Sequence, residues 1–137
     1  MTALPPRVLL IMPDQWPRAL LRAALREAGY DALGAPALAA ALRYRAEMPG
    51  RGSVRVVLID QASLAGDEAE AQLEALVRRH ATPALVLLTK ASQEPSRLAS
   101  VPGAWSRVVR RPASIADLVA TVQQILPLPP ESARPLD

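Results

Sequence analysis

The chain has 137 residues, half of them apolar, with 16 Lys and Arg against 13 Asp and Glu for a net charge of +3. That is the size of one ordinary domain, able to build a core without metal or disulfide support. With no cysteine and a single histidine, His80, the composition excludes a disulfide framework, a thiolate metal site and a histidine-cluster site.

The small positive excess does not imply nucleic-acid binding. A chain with no Phe, two Trp and two Tyr also offers no platform for stacking bases. No apolar run approaches the roughly 18 to 20 residues of a membrane helix. The N-terminal "MTALPPRVLLIMPD" meets a proline and an aspartate too early for a secretory signal, so a cytoplasmic location without membrane association is expected.

In chain order, "RVLLIM" (7–12) is a continuous apolar run, as in a strand covered on both faces. "PRALLRAALREAGY" predicts a helix with Pro17 in its first turn and Gly29 as its C-cap. Its buried face should hold Leu20, Leu21, Ala24, Leu25 and Ala28. Arg18, Arg22 and Arg26 fall on another face, expected to be solvated. "YDALGA" (30–35) predicts a short strand, and "PALAAALRYRAEM" (36–48) a helix ended by Pro49 and Gly50.

"VRVVLID" (54–60) is the clearest strand. "DEAEAQLEALVRRHA" (67–81) predicts a helix with acids in its first turn and bases in its last, matching the helix dipole. There His80 is expected to act as a cationic partner for the terminal carbonyls. "PALVLLT" (83–89) is a further buried strand, "SQEPSRLAS" (92–100) at most a short helix interrupted by Pro95, and "RVVR" (107–110) a strand. "SIADLVATVQQIL" (114–126) predicts a last helix capped by Ser114. The prolines of "PLPPESARPLD" (127–137) predict an extended tail or linker after a domain spanning 1–126.

Five strands alternating with helices bury both faces as one doubly wound (βα)5 parallel α/β sheet with right-handed crossovers, and strand order 2-1-3-4-5 is expected. In such sheets function collects at the carboxyl ends of the strands beside the point where the order reverses. Asp14 and Asp60 fall at the two ends flanking that point. Thr89 and Arg111 follow the last two strands.

At these positions the chain resembles the receiver domain of bacterial two-component response regulators over residues 7–126. "VVLID" is similar to the strand ending on the family's phosphoacceptor, implying that role for Asp60. "LVLLT" resembles the strand ending on the switch hydroxyl, implying Thr89. "RRP" resembles the Lys-Pro pair of the fifth strand, carried over to Arg111 and Pro112, where the family usually has a cis peptide. The flavodoxin-like, receiver-like fold is implied by the same resemblance.

The departures are chemical. The family's acidic pair, which with the phosphoacceptor holds Mg²⁺, falls on Met12 and Pro13, whose side chains carry no oxygen. Asp14 lies one residue late and, with Asp60, is the only candidate metal ligand. Lys90 follows the switch threonine and Arg111 replaces the family lysine, so Thr89, Lys90 and Arg111 form a phosphate-site-like set. The aromatic switch falls on Val108, and Trp16 is expected to pack over the first loop.

Two roles for Asp60 remain open. It is either a phosphoacceptor in a phosphorelay using Mg²⁺, or a strand end that caps the following loop and pairs with Arg111. No Gly-rich loop follows the first strand, and no nucleophile has a paired base, so neither an enzyme nor a nucleotide cofactor is expected. The expected function is a degenerate receiver, with no cofactor, acting through protein–protein contact independent of phosphate. Its surface, by resemblance, is the fourth helix, fifth strand and fifth helix, here bearing Arg97, Arg107 and Arg110. This face suits an acidic protein partner or a homodimer.

Overall fold

The computed structural model describes residues 4–45, 47–48, 50–90 and 105–128. Its parallel sheet is formed by β1 (Arg7–Ile11), β2 (Asp31–Ala35), β4 (Gly52–Asp60), β5 (Ala84–Lys90) and β6 (Arg107–Arg111) in the order β2-β1-β4-β5-β6. This is the expected 2-1-3-4-5 topology. The order reverses between β1 and β4, where Ile11 lies beside Ile59.

Every residue of β1 is buried, as are the last five of β4, which is why both read as unbroken apolar runs rather than alternating ones. On one face Leu10, Leu58, Val86 and Leu88 pack against Leu21 and Leu25 of α1 (Gln15–Ala28) and Leu118 and Val122 of α4 (Ile115–Ile125). On the other, Leu9, Ile59 and Leu87 meet Leu38 of α2 (Leu38–Ala41) and Leu73 and Leu76 of α3 (Ala69–Arg79). Packing continues past the last helix to Leu128, which joins the α1 and α4 side.

Two caps act as expected. Gly29 takes φ 113° at the end of α1, a conformation that favours glycine. Ser114 forms a reciprocal capping box with Asp117, each side chain accepting from the other's backbone N–H at 3.0 and 3.1 Å.

The expected helix over 36–48 is a correction: among its described residues only Leu38–Ala41 is α-helical. Leu38 and Ala41 are its buried anchors. Beyond them the Tyr44 hydroxyl turns back to donate to the Gly34 carbonyl. The chain then forms β3 (Glu47–Met48), pairing antiparallel with Ser53 and Gly52. Gly50 and Gly52, both at φ 80°, take the left-handed conformations that this reversal requires. The sequence signal read as a helix stop is therefore a hairpin connection.

α3 is also shorter than expected, because Ala81 and Thr82 adopt φ 56° and 59° and turn the chain out of the helix. Left-handed backbone costs a non-glycine residue roughly 1–2 kcal/mol, and Thr82 bonds back to the Val77 carbonyl at 2.9 Å within that turn. The expected short helix over 92–100 lies outside the described residues, as does most of the expected tail.

His80 differs from its expected role. It is 2% exposed, and neither ring nitrogen has a hydrogen-bond partner among the described residues. Burial first, then Arg79 and Arg7, lower its pKa below the ordinary 6.5, so it is a neutral core residue rather than a cation on terminal carbonyls. Because the unfolded chain takes up the proton first, stability is full above pH 6.5 and falls as the pH drops from there toward the lowered folded value. Urea titrations at about pH 7.5 and about pH 5.5 should show this loss in the natural chain and a smaller one in His80→Leu.

Candidate functional site

The carboxyl ends of β1, β4, β5 and β6 bring the candidate residues to one edge of the sheet. Asp60 ends β4 at 4% exposure, with φ −72° and ψ 132°, just before the 3₁₀ turn of residues Gln61–Leu64. Its Oδ1 accepts from the Ala62 N–H at 3.0 Å, capping that turn. Its Oδ2 accepts from the Arg111 guanidinium at the end of β6, reaching across the intervening strand β5. Both carboxylate oxygens are thus engaged from within the chain, one by a turn and one by a fixed cation.

Arg111 is 22% exposed at its side chain against 6% for Asp60, so the pair is closed on the protein side and open to solvent on the other. The Arg111–Pro112 peptide is cis, as the resemblance implied.

The other candidates are not drawn to Asp60. Register pairs Asp60 with Leu88 and places Thr89 one residue beyond, opposite Arg110. Alternation puts Asp60 in line with Val56 and Leu58, whereas Thr89 is in line with Leu85 and Leu87, which pack on the opposite face. Thr89 is half-buried, and no hydrogen bond joins it to Asp60 among the described residues. Lys90 is exposed opposite Arg111.

On the first loop Met12 is 3% exposed and packs with the α1 and α4 side of the core, while Pro13 is exposed. Asp14 is the exposed N-cap of α1, with no side-chain cap hydrogen bond. No group of three or more acidic, histidine or cysteine side chains lies together among the described residues.

Two residues of α1 depart from expectation. Trp16 is 75% exposed instead of packing over the loop, and Leu20, assigned to the buried face, is 56% exposed. The reason is rotational: Leu21 and Leu25 take the centre of the buried arc, and residues four apart at 16 and 20 face outward together.

The arginine stripe is also more than a solvated face. Arg18 donates to the Met12 carbonyl at 2.6 Å, and Arg22 Nε donates to the Ala32 carbonyl at 3.0 Å. Arg18 additionally lies over Gly34, where a Cβ would meet its Cγ and Cδ at 3.2 Å. Its i, i+4 spacing with Arg22 and the lone glycine in β2 were the sequence signals, but neither names its partner.

On the candidate interaction face, β6 is the edge strand. Arg107 and Arg110 are exposed, Val108 is 49% exposed, and Arg107 donates to Gln124 Oε1 of α4 at 2.9 Å. Arg97 lies outside the described residues. No helix is long and apolar enough to cross a membrane among the described residues.

No protein-family model and no curated protein sequence matches the chain. Solved structures do. A response regulator receiver domain protein from Clostridium thermocellum superposes with a TM-score of 0.68 at 17% identity, covering 88% of this chain and 94% of that one. A CheY-like receiver domain protein from Methanospirillum hungatei gives 0.69 at 16% identity, covering 88% and 92%. A structure described as adenylate cyclase from Rhodopirellula baltica gives 0.70 at 17% identity, covering 88% and 87%. The doubly wound sheet, its strand order and its flanking helices are those of the response-regulator receiver fold.

Proposed function

We propose that this chain is a receiver-like signalling domain of the two-component type that acts in the cytoplasm by binding a protein partner, without phosphotransfer and without catalysis of its own. The observation that supports it most is the engagement of both Asp60 oxygens, Oδ1 by the Ala62 N–H and Oδ2 by Arg111.

A phosphoryl group on Asp60 would have to displace Arg111 or share it. Magnesium seeks near-octahedral oxygen ligation at about 2.0–2.1 Å, commonly with one or two carboxylates. The donors present do not fit that ion. Met12 and Pro13 offer no side-chain oxygen, Asp14 is exposed at a helix start, and the Asp60 carboxylate is already held by a guanidinium. A fixed guanidinium supplies positive charge but does not bridge carboxylate and phosphoryl oxygens, so no metal-assisted step is assigned to the site.

The partner surface is the β6 edge. Arg107 and Arg110 project there around the exposed Val108, and edge arginines discourage strand addition while favouring an acidic protein surface.

Incubating the chain with acetyl phosphate and Mg²⁺, then measuring intact mass, tests the reading. No phosphoryl adduct is expected. An adduct that disappears in Asp60→Asn would instead establish a working phosphoacceptor and overturn the proposal.

A further inference from the structure

The outward side of α1 is a second amphipathic face that the fold leaves uncovered. Trp16 and Leu20, at 75% and 56% exposure, stand one turn apart, with exposed Ala19 and Ala23 beside them. A row of arginines, Arg18, Arg22 and Arg26, runs along one flank of this strip. Arg18 and Arg22 bond to carbonyls, so their charge is not neutralised by those contacts. An exposed Trp beside a second large apolar residue is a typical anchor for association.

The opposite layer of the molecule holds a complementary recess. A cavity of about 460 Å³ opens between the start of α2, the 3₁₀ turn and the start of α3, lined by Leu38, Ala39, Ser63, Asp67, Glu68 and Ala69, among others. Its mouth exposes Ala37 and Ala39 above the buried Leu38 and Ala69, while Asp67 and Glu68 form an exposed acidic rim. Ser63 adds one polar group: its Oγ is buried and has no hydrogen-bond partner among the described residues. An indole has the matching chemistry, an apolar body with one N–H that donates and does not accept.

We propose that the Trp16 face of one molecule docks into this recess on a second copy of the chain. The indole rests on Ala37 and Ala39, over Leu38, and donates to Ser63 Oγ, while Arg22 and Arg26 face the carboxylates of Asp67 and Glu68. α1 packs on one side of the sheet, and α2 and α3 pack on the other. The two surfaces therefore cannot meet within one molecule. The contact is heterologous, adding copies head to tail instead of closing a two-fold dimer. It uses neither Asp60 nor the β6 edge, so its failure would leave the proposed function standing, and the reverse also holds.

Sedimentation of the full chain across a concentration series tests it. The weight-average mass should rise continuously with concentration, without a plateau at the dimer, and should fall when salt is added, because the attraction between exposed charges is screened. Trp16→Ala, and separately Asp67→Lys/Glu68→Lys, should each weaken association about tenfold or more, with circular dichroism confirming that both variants fold. The first variant keeps the recess and the second keeps the indole, so mixing them should restore one contact and yield a capped heterodimer. A chain that stays monomeric at every concentration overturns the proposal. So does association that survives in Trp16→Ala, or a mixture that forms no heterodimer.

Discussion

Replacing Arg111 with alanine is expected to destabilise the fold by about 2–4 kcal/mol, because it leaves the Asp60 carboxylate buried with one of its two oxygens unpaired. The upper end holds where removal of one partner strands a fully buried charge. Arg111 is 22% exposed at its side chain, so water entering the space it vacates brings the cost down from that limit. Asp60→Asn in the Arg111→Ala background should recover much of the loss, since the uncompensated charge is gone and the amide oxygen still accepts from Ala62. A double-mutant cycle measured by urea denaturation gives the coupling directly. A cycle with no coupling would reduce the pair to a surface contact. Arg111→Lys should recover only part of the loss, because an ammonium is a point charge without the guanidinium's planar fork.

A second large effect is expected at the other end of the sheet. Arg7 opens β1 at 2% exposure, donates to the Gly52 carbonyl at 3.0 Å and lies 3.2 Å through Nε from Asp31 Oδ2. That Nε approaches the carboxylate without the alignment of a directed hydrogen bond, so the attraction there is chiefly that of an ion pair. Arg51, at 3.8 Å from the same oxygen and half exposed, contributes less. Arg7→Leu removes the buried cation but leaves Asp31 and the Gly52 carbonyl in place, and should cost about 3–5 kcal/mol in chemical denaturation. The same change withdraws one of the charges that hold the His80 pKa down. In Arg7→Leu the histidine should therefore titrate nearer its ordinary value, and the stability lost between pH 7.5 and pH 5.5 should shrink by less than in His80→Leu, in which the group is absent. An unchanged pH dependence in Arg7→Leu would show that burial and Arg79 alone set the histidine's state.

The elements that could be read from the sequence are those whose signal is local or fully periodic. β1, β4 and β5 are covered on both faces, so their composition alone marks them, and Asp60 follows as the residue at which one such run ends; Arg111 instead ends the exposed edge strand β6 and is marked by the Arg-Pro pair. The capping box at Ser114 is legible for a similar reason, since donor and acceptor are three residues apart. What escaped depends on partners far along the chain. The segment over 36–48 has the alanines of a helix, yet a carbonyl at Gly34 and the edge of β4 decide its course. The carbonyls gripped by Arg18 and Arg22 lie six and ten residues away. His80 carries the same sequence pattern whether it faces solvent or the floor of the sheet, and only packing makes it neutral. Trp16 was misplaced because a loop can either fold over its aromatic residue or leave it outside, and the periodicity of α1 selects the second.

The guanidinium at position 111 belongs to the same polypeptide as the carboxylate it holds, so its stoichiometry is fixed at synthesis and its local concentration never varies. Chelators, fluctuating cellular cation pools and the supply of high-energy phosphate all act on sites that must recruit their counter-charge from solution. Under the phosphate-independent reading proposed above, a domain furnished with its own is insulated from those inputs. On that reading its output follows its own abundance and that of its partner, through expression and turnover.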